Sequence, residues 1–229
     1  MALRVLRAGA AVLLAASGAL MYAASWQRWA GACPWADSEG ELCTLRQDHL
    51  YDFLPPSAPW QPVGDAAQLA GWSLLVLALA FLLLPWALTG RRPGHFSAVA
   101  LVITVAAMAA VGIAMIRSGL TGSVVTLPAS DLAVYGWALI PPFLLVRWAV
   151  EARGWAIAAA ASLVLATPLV AAFSYAIGSY DARPWWEAIS GAFTVIGGGC
   201  LLVDAVVGGR LRAPDTSVSI TETPSPTSL

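Results

Sequence analysis

The chain contains no lysine: all 12 basic residues among its 229 are arginine. Chemistry that needs a lysine amine, such as a retinal Schiff base or the lysine of a phosphate-binding loop, is therefore excluded. Charge of either sign is scarce. Charged residues make up 11% of the chain, against about 25% in a soluble domain, too few to clothe a water-soluble surface. A net charge of −1 supplies no basic face for nucleic acid, so no nucleic-acid partner is expected. Metal-site and nucleophile signatures are missing as well. There is no HExxH, CxxC or GxSxG, and the two histidines, His49 and His95, stand far apart. No cofactor, metal or catalytic residue follows from the sequence.

What fills the chain is hydrocarbon. Hydrophobic residues make up 59%, gathered into charge-poor runs of roughly twenty residues, the length of helix that crosses a bilayer core. Six segments qualify, at about 5–25, 66–89, 96–116, 132–149, 155–177 and 187–208. The expected fold class is an all-α polytopic membrane protein, a bundle of about six transmembrane helices occupying residues 1–212. The remainder, 213–229, is rich in Ser, Thr and Pro and is expected to be a disordered tail. The first segment follows Arg4 and Arg7 and ends near Ala23-Ala24-Ser25, like a signal peptide. Its apolar run is longer than a usual signal core, so it is expected to remain as an anchor.

Arginine distribution sets the expected direction, because cytoplasmic loops carry the basic excess. With the N-terminus inside, Arg4, Arg7, Arg91, Arg92, Arg147, Arg153, Arg210 and Arg212 are cytoplasmic, and Arg28, Arg46, Arg117 and Arg183 lie outside. Both termini are then cytoplasmic. The preponderance of Arg, with abundant Ala, Gly and Trp, suggests a GC-rich bacterial genome and hence a bacterial cytoplasmic membrane. Trp26, Trp29, Trp185 and Trp186 at outer helix ends, and Trp86, Trp148 and Trp155 at inner ones, are expected to be interfacial belt anchors.

The outer loop, 26–65, is the one sizeable polar region between the segments. Cys33 and Cys43 lie ten positions apart within it, a natural disulfide in an oxidising compartment. Forty residues are too few for an independent core, so the loop is expected to cap the bundle. Its proline-rich stretch, Pro55-Pro56 through Pro62, favours extended backbone, and its aromatics can fold onto the helix ends or dock a partner.

Within the spans a few residues stand out. Pro141 and Pro142 in the fourth deprive the Trp137 and Ala138 carbonyls of their helical donors, and Pro168 interrupts the fifth. Such kinks line substrate sites in many transporters. Asp204 is a carboxylate within an apolar run, about 6 Å by helical rise from the inner end; Arg210, Arg147 or Arg92 are its expected partners, and a proton or cation relay is its functional alternative. Arg117 and Asp131 are an expected ion pair between the third and fourth helices. Small residues at helical spacing, Ala106, Ala110 and Ala114 in the third helix and Ser190, Thr194 and Gly198 in the sixth, mark expected close contacts.

The leading functional expectation is a non-enzymatic accessory, scaffold or regulatory subunit whose outer loop meets a membrane-protein partner. A small transporter or channel using the kinked fourth and fifth helices and Asp204 is the alternative, and a lipid-acting membrane enzyme the third. The bilayer itself is the one partner expected on every reading.

Overall fold

A computed structural model describes residues 2–34, 39–126, 130–175 and 183–207. Among them the fold is entirely helical: α1 (Ala2–Trp29), α2 (Glu41–Arg46), α3 (Ala66–Thr89), α4 (His95–Thr121), α5 (Ser130–Glu151), α6 (Trp155–Leu165), α7 (Pro168–Tyr175) and α8 (Trp186–Val207), with one 3-10 turn at His49–Tyr51. Five of these helices, α1, α3, α4, α5 and α8, are long and apolar enough to cross a membrane. The surface agrees with a hydrocarbon solvent: Val12, Val102, Phe143 and Val150 are among many large apolar side chains left exposed, far more than a water-facing surface carries.

The expected fifth span, 155–177, is not one helix. It is divided at Ala166–Thr167 into α6 and α7, because Pro168 has no N–H to give the Val164 carbonyl. Thr167 compensates, donating to that oxygen from its own N–H at 3.1 Å and from Oγ1 at 2.7 Å. The double proline acts differently, since α5 runs without interruption through Pro141 and Pro142. Elsewhere the boundaries follow local chemistry. α3 and α4 end at Gly90 and Gly122, whose φ of +69° and +67° is the left-handed cap that glycine enters without a Cβ clash.

The helices close into a ring. α1 packs between α8 and α3, α3 meets α4, α4 meets α5, α5 meets α6, and α6 returns to α8. Two seams are drawn tight by small residues, since dispersion contacts rather than hydrophobic exclusion hold helices together in lipid. A Cβ on Gly18 of α1 would overlap the Gly191 carbonyl of α8, and one on Gly71 of α3 would lie 2.5 Å from the Gly112 oxygen of α4. Ser17 and Ser73 join α1 to α3 reciprocally, each hydroxyl donating to the other's carbonyl at 3.0 and 2.8 Å.

Of the expected small-residue faces, the one on α8 is packed: Thr194 is buried and Gly198 abuts Ala11 of α1. The one on α4 is displaced. Ala106 is exposed, and the inward face is Thr104, Met108, Val111, Gly112 and Met115. Alanine is as apolar as lipid, so composition could not tell the two faces apart.

The Cys33–Cys43 disulfide is present. Both sulfurs are buried in a small core with Trp29, Ala32, Trp185 and Ala188, and the Trp185 indole donates to the Cys33 carbonyl at 2.9 Å. This corrects the belt assignment for two tryptophans: Trp29 is 0% and Trp185 8% exposed, so they are core for the cap. Trp148 is likewise buried, against Phe81. Trp26 and Trp155 remain exposed as belt residues would be. Phe53 of the loop is driven into the main core, and the Asp65 N–H is held by Gln27 Oε1 at 2.6 Å. The tail from 213 lies outside the described residues.

Candidate functional site

The ring is not filled at its centre. A cavity of about 300 Å³ runs between the cap and the middle of the bundle, about twice the volume of an engineered apolar cavity that admits benzene. Its wall is apolar: Met21 from α1, Leu74 and Phe81 from α3, Met108 from α4, Trp137 and Leu145 from α5, Leu163 from α6. Pro141 faces it from α5, and Thr167 and Pro168 face it from the break between α6 and α7. The interruption in the helical path is therefore part of the wall, as in irregular membrane backbone generally. Ser190 Oγ donates to the Ala166 carbonyl at 2.6 Å, which tethers the broken segment to α8. Pro142, one residue on, is buried but is not part of this lining.

At the cap end the cavity meets charge. Arg28, in the last turn of α1, is 2% exposed. Its guanidinium reaches Glu187 Oε1 of α8 at 3.3 Å, Asp52 Oδ1 of the loop at 2.5 Å and the Arg46 carbonyl at 3.0 Å. It lies over the Trp29 ring at 4.2 Å, with Phe53 at 5.9 Å, so aromatic faces and carboxylates share the cation. Glu187 also accepts from Trp29 Nε1 at 2.8 Å and from Ser25 Oγ at 3.4 Å. This cluster binds α1, α8 and the loop into one unit. It brings together Arg28 and Glu187, which are 159 positions apart.

The electrostatics are not balanced. One guanidinium against two carboxylates leaves one negative charge when both acids are ionised. Burial is the main reason that the Asp52 carboxyl is raised from 3.8 to about 6, with Glu187 adding to it; Arg28 and His49 pull the other way and do not overcome desolvation. Arg28 Nε has no acceptor among the described residues, so the cluster retains a donor in a buried place. Ser190 and Thr194 of α8 also line the cavity, Thr194 Oγ1 donating to the Ser190 carbonyl.

Compared with protein-family models, curated proteins and solved structures, the chain matches none.

Asp204 is not at this cavity. It lies toward the opposite end of the ring, where Arg7 Nη1 approaches Oδ2 at 2.7 Å. Arg7, rather than Arg147 or Arg92, is its partner, and Arg210 is outside the described residues. Arg147 is engaged by Ser97 Oγ at 3.1 Å and Glu151 at 3.5 Å. Arg7 is nearly two hundred residues from Asp204 in sequence and reaches it only through the α1–α8 seam, which no local sequence signal marks. The Arg117–Asp131 pair involves a side chain outside the described residues. No group of three His, Cys, Asp or Glu is placed to hold a metal ion among the described residues.

The Arg28–Glu187–Asp52 cluster escaped sequence reading, although it left a trace. Arg28 directly extends an apolar helix, and Glu187 opens the last expected span. A charge written at the lip of each of two spans is the signal that an ion pair between them would leave.

Proposed function

We propose that the protein is a small membrane carrier that holds an amphipathic molecule in the bundle cavity, with the disulfide-pinned loop as its lid. The observation that carries this reading is an apolar cavity lined by Pro141, Thr167 and Pro168 that ends on buried Arg28 and Glu187 and half-buried Asp52. Ligand sites in proteins are mostly apolar, with a few convergent polar groups that fix orientation. The excess negative charge favours a cationic or hydrogen-bond-donating head at the cluster and an apolar body along Phe81 and Met108. Asp204 has no part in the cavity and serves as the α1–α8 ion pair.

The accompanying topology is six crossings, with α6 and α7 together forming a broken fifth span. Both termini are on the cytoplasmic side of a bacterial membrane, and the cap is outside. Arginine asymmetry supports this orientation, and the 21 residues from Trp155 to Tyr175, about 31 Å of helix, support the span. Reporter fusions after Gly122, Gly154 and Arg183 would read alternating compartments; a fusion pattern with the last two on one side would refute the crossing by α6 and α7.

The cavity is tested by binding of N-phenyl-1-naphthylamine, an apolar amine whose emission rises away from water. Bright emission in wild type, lost in Ala138→Phe and Ala171→Leu and kept in the exposed-face change Leu139→Phe, is the expected result. Equal emission from all four proteins would overturn the reading. An interaction role for the cap remains as a second reading because α2 leaves Leu42 and Leu45 half exposed. Cross-linking in cells at those two positions to another protein would support it.

A further inference from the structure

Away from the cap, four parts of the chain converge on a second recess, of about 660 Å³. They are the first turns of α1, the turn after α3, the turn after α5 and the last turns of α8. Its charged lining is Arg7, Arg91, Arg153, Glu151 and Asp204, and its apolar lining includes Leu3, Leu88 and Val150.

The charges do not cancel. Arg7 and Asp204 neutralise each other at 2.7 Å, and Arg7 Nε is held by the Ala87 carbonyl at 2.9 Å. Glu151 pairs with Arg147 outside the recess. Arg91 and Arg153 are exposed, and neither has a carboxylate within ion-pair distance among the described residues. Both are held by built turns. Thr89 Oγ1 donates to the Pro85 carbonyl at 2.6 Å and accepts from the Arg91 N–H at 3.1 Å. Arg153 precedes Gly154, whose φ of +61° turns the chain from α5 into α6.

We propose that this recess binds a phosphate-bearing anion, with Arg91 and Arg153 as its ligands. Two guanidiniums on one concave wall are suited to phosphate oxygens, which they grip through paired N–H donors. The apolar walls add what a free ion would not need. Trp86 lies one turn before Thr89, and the half-exposed Trp155 follows Gly154. Indoles prefer headgroup depth, which places the recess where a lipid phosphate lies. Basic pockets between membrane helices take anionic lipid heads in this way. The inference does not rest on the cavity reading.

Native mass spectrometry of the detergent-purified chain, offered phosphatidylglycerol, phosphatidylcholine or inorganic phosphate, tests it. Phosphatidylglycerol is expected to be retained and phosphatidylcholine lost, with retention about ten-fold or more weaker in the R91Q/R153Q double variant, since each lost contact is a hydrogen bond to a charged group. R117Q removes an equally exposed charge from the far end of α4 and is expected to change nothing. Retention of inorganic phosphate without the lipid, abolished by the same double variant, would support the site and assign it to the free ion. Equal retention of phosphatidylglycerol by wild type and R91Q/R153Q, or equal loss in R117Q, would overturn it. Unchanged melting of the double variant verifies that the fold is intact.

Discussion

Glu187→Ala is the most informative single change. In the folded protein this carboxylate accepts from Trp29 Nε1 at 2.8 Å, Arg28 Nη1 at 3.3 Å and Ser25 Oγ at 3.4 Å. Truncation leaves the indole N–H of a fully buried tryptophan without its acceptor, which costs about 1–3 kcal/mol. Arg28 retains Asp52 and the Arg46 carbonyl, so its charge is only partly stranded. Breaking one side of a buried pair brings the total to about 3–5 kcal/mol. Glu187→Gln keeps an oxygen for Trp29 and loses only the charge, and about 1–2 kcal/mol is expected. The exposed Glu41→Ala should stay within about 0.5 kcal/mol of wild type. Equilibrium unfolding in mixed micelles, titrated with a denaturing detergent and followed by tryptophan emission, gives all three values. An E187A protein that unfolds with wild-type stability would show that the cluster does not join α1 to α8, and the cavity's polar end would lose its basis.

Three further outcomes follow from the cluster, the α1–α8 seam and the disulfide. Because the Asp52 carboxyl is raised to about 6, the folded chain binds its proton more tightly than the unfolded one; that stability is full below about pH 3.8 and is lost as pH rises through 6. Melting between pH 4.5 and 7.5 should show this slope in wild type and a flatter profile in Asp52→Asn. Gly18→Val drives a side chain into the Gly191 carbonyl and should lower stability by about 1–3 kcal/mol or more. Gly31→Ala, where nothing lies within 4 Å, should not, and equal unfolding curves for the two would refute the close seam. Paired replacement of Cys33 and Cys43 by Ser opens a ten-residue loop and should cost about 2–3 kcal/mol in the chain-entropy account, read as a lower melting temperature matched by reduced wild type.

The sequence alone was sufficient for what depends on neighbouring residues. Bilayer-length apolar runs placed α3 at 66–89 and the other long helices to within a few residues, since hydropathy and helical rise are properties of a contiguous stretch. The cysteine spacing implied the disulfide, and Pro168 marked the interruption between α6 and α7, because a missing N–H acts within one helical turn. Which side of each helix turns inward was another matter. Trp29 and Trp185 carried the composition of belt residues, yet they close over Cys33 because α1 and α8 meet at Gly18 and Gly191. Asp204 was recognisable as a buried charge, but its partner Arg7 came from the far end of the chain. Tertiary structure alone decided that Arg28, Asp52 and Glu187 meet above a cavity. In a span apolar on every side, hydrophobic periodicity no longer distinguishes core from lipid, and only the packing of one helix on another selects the inward face.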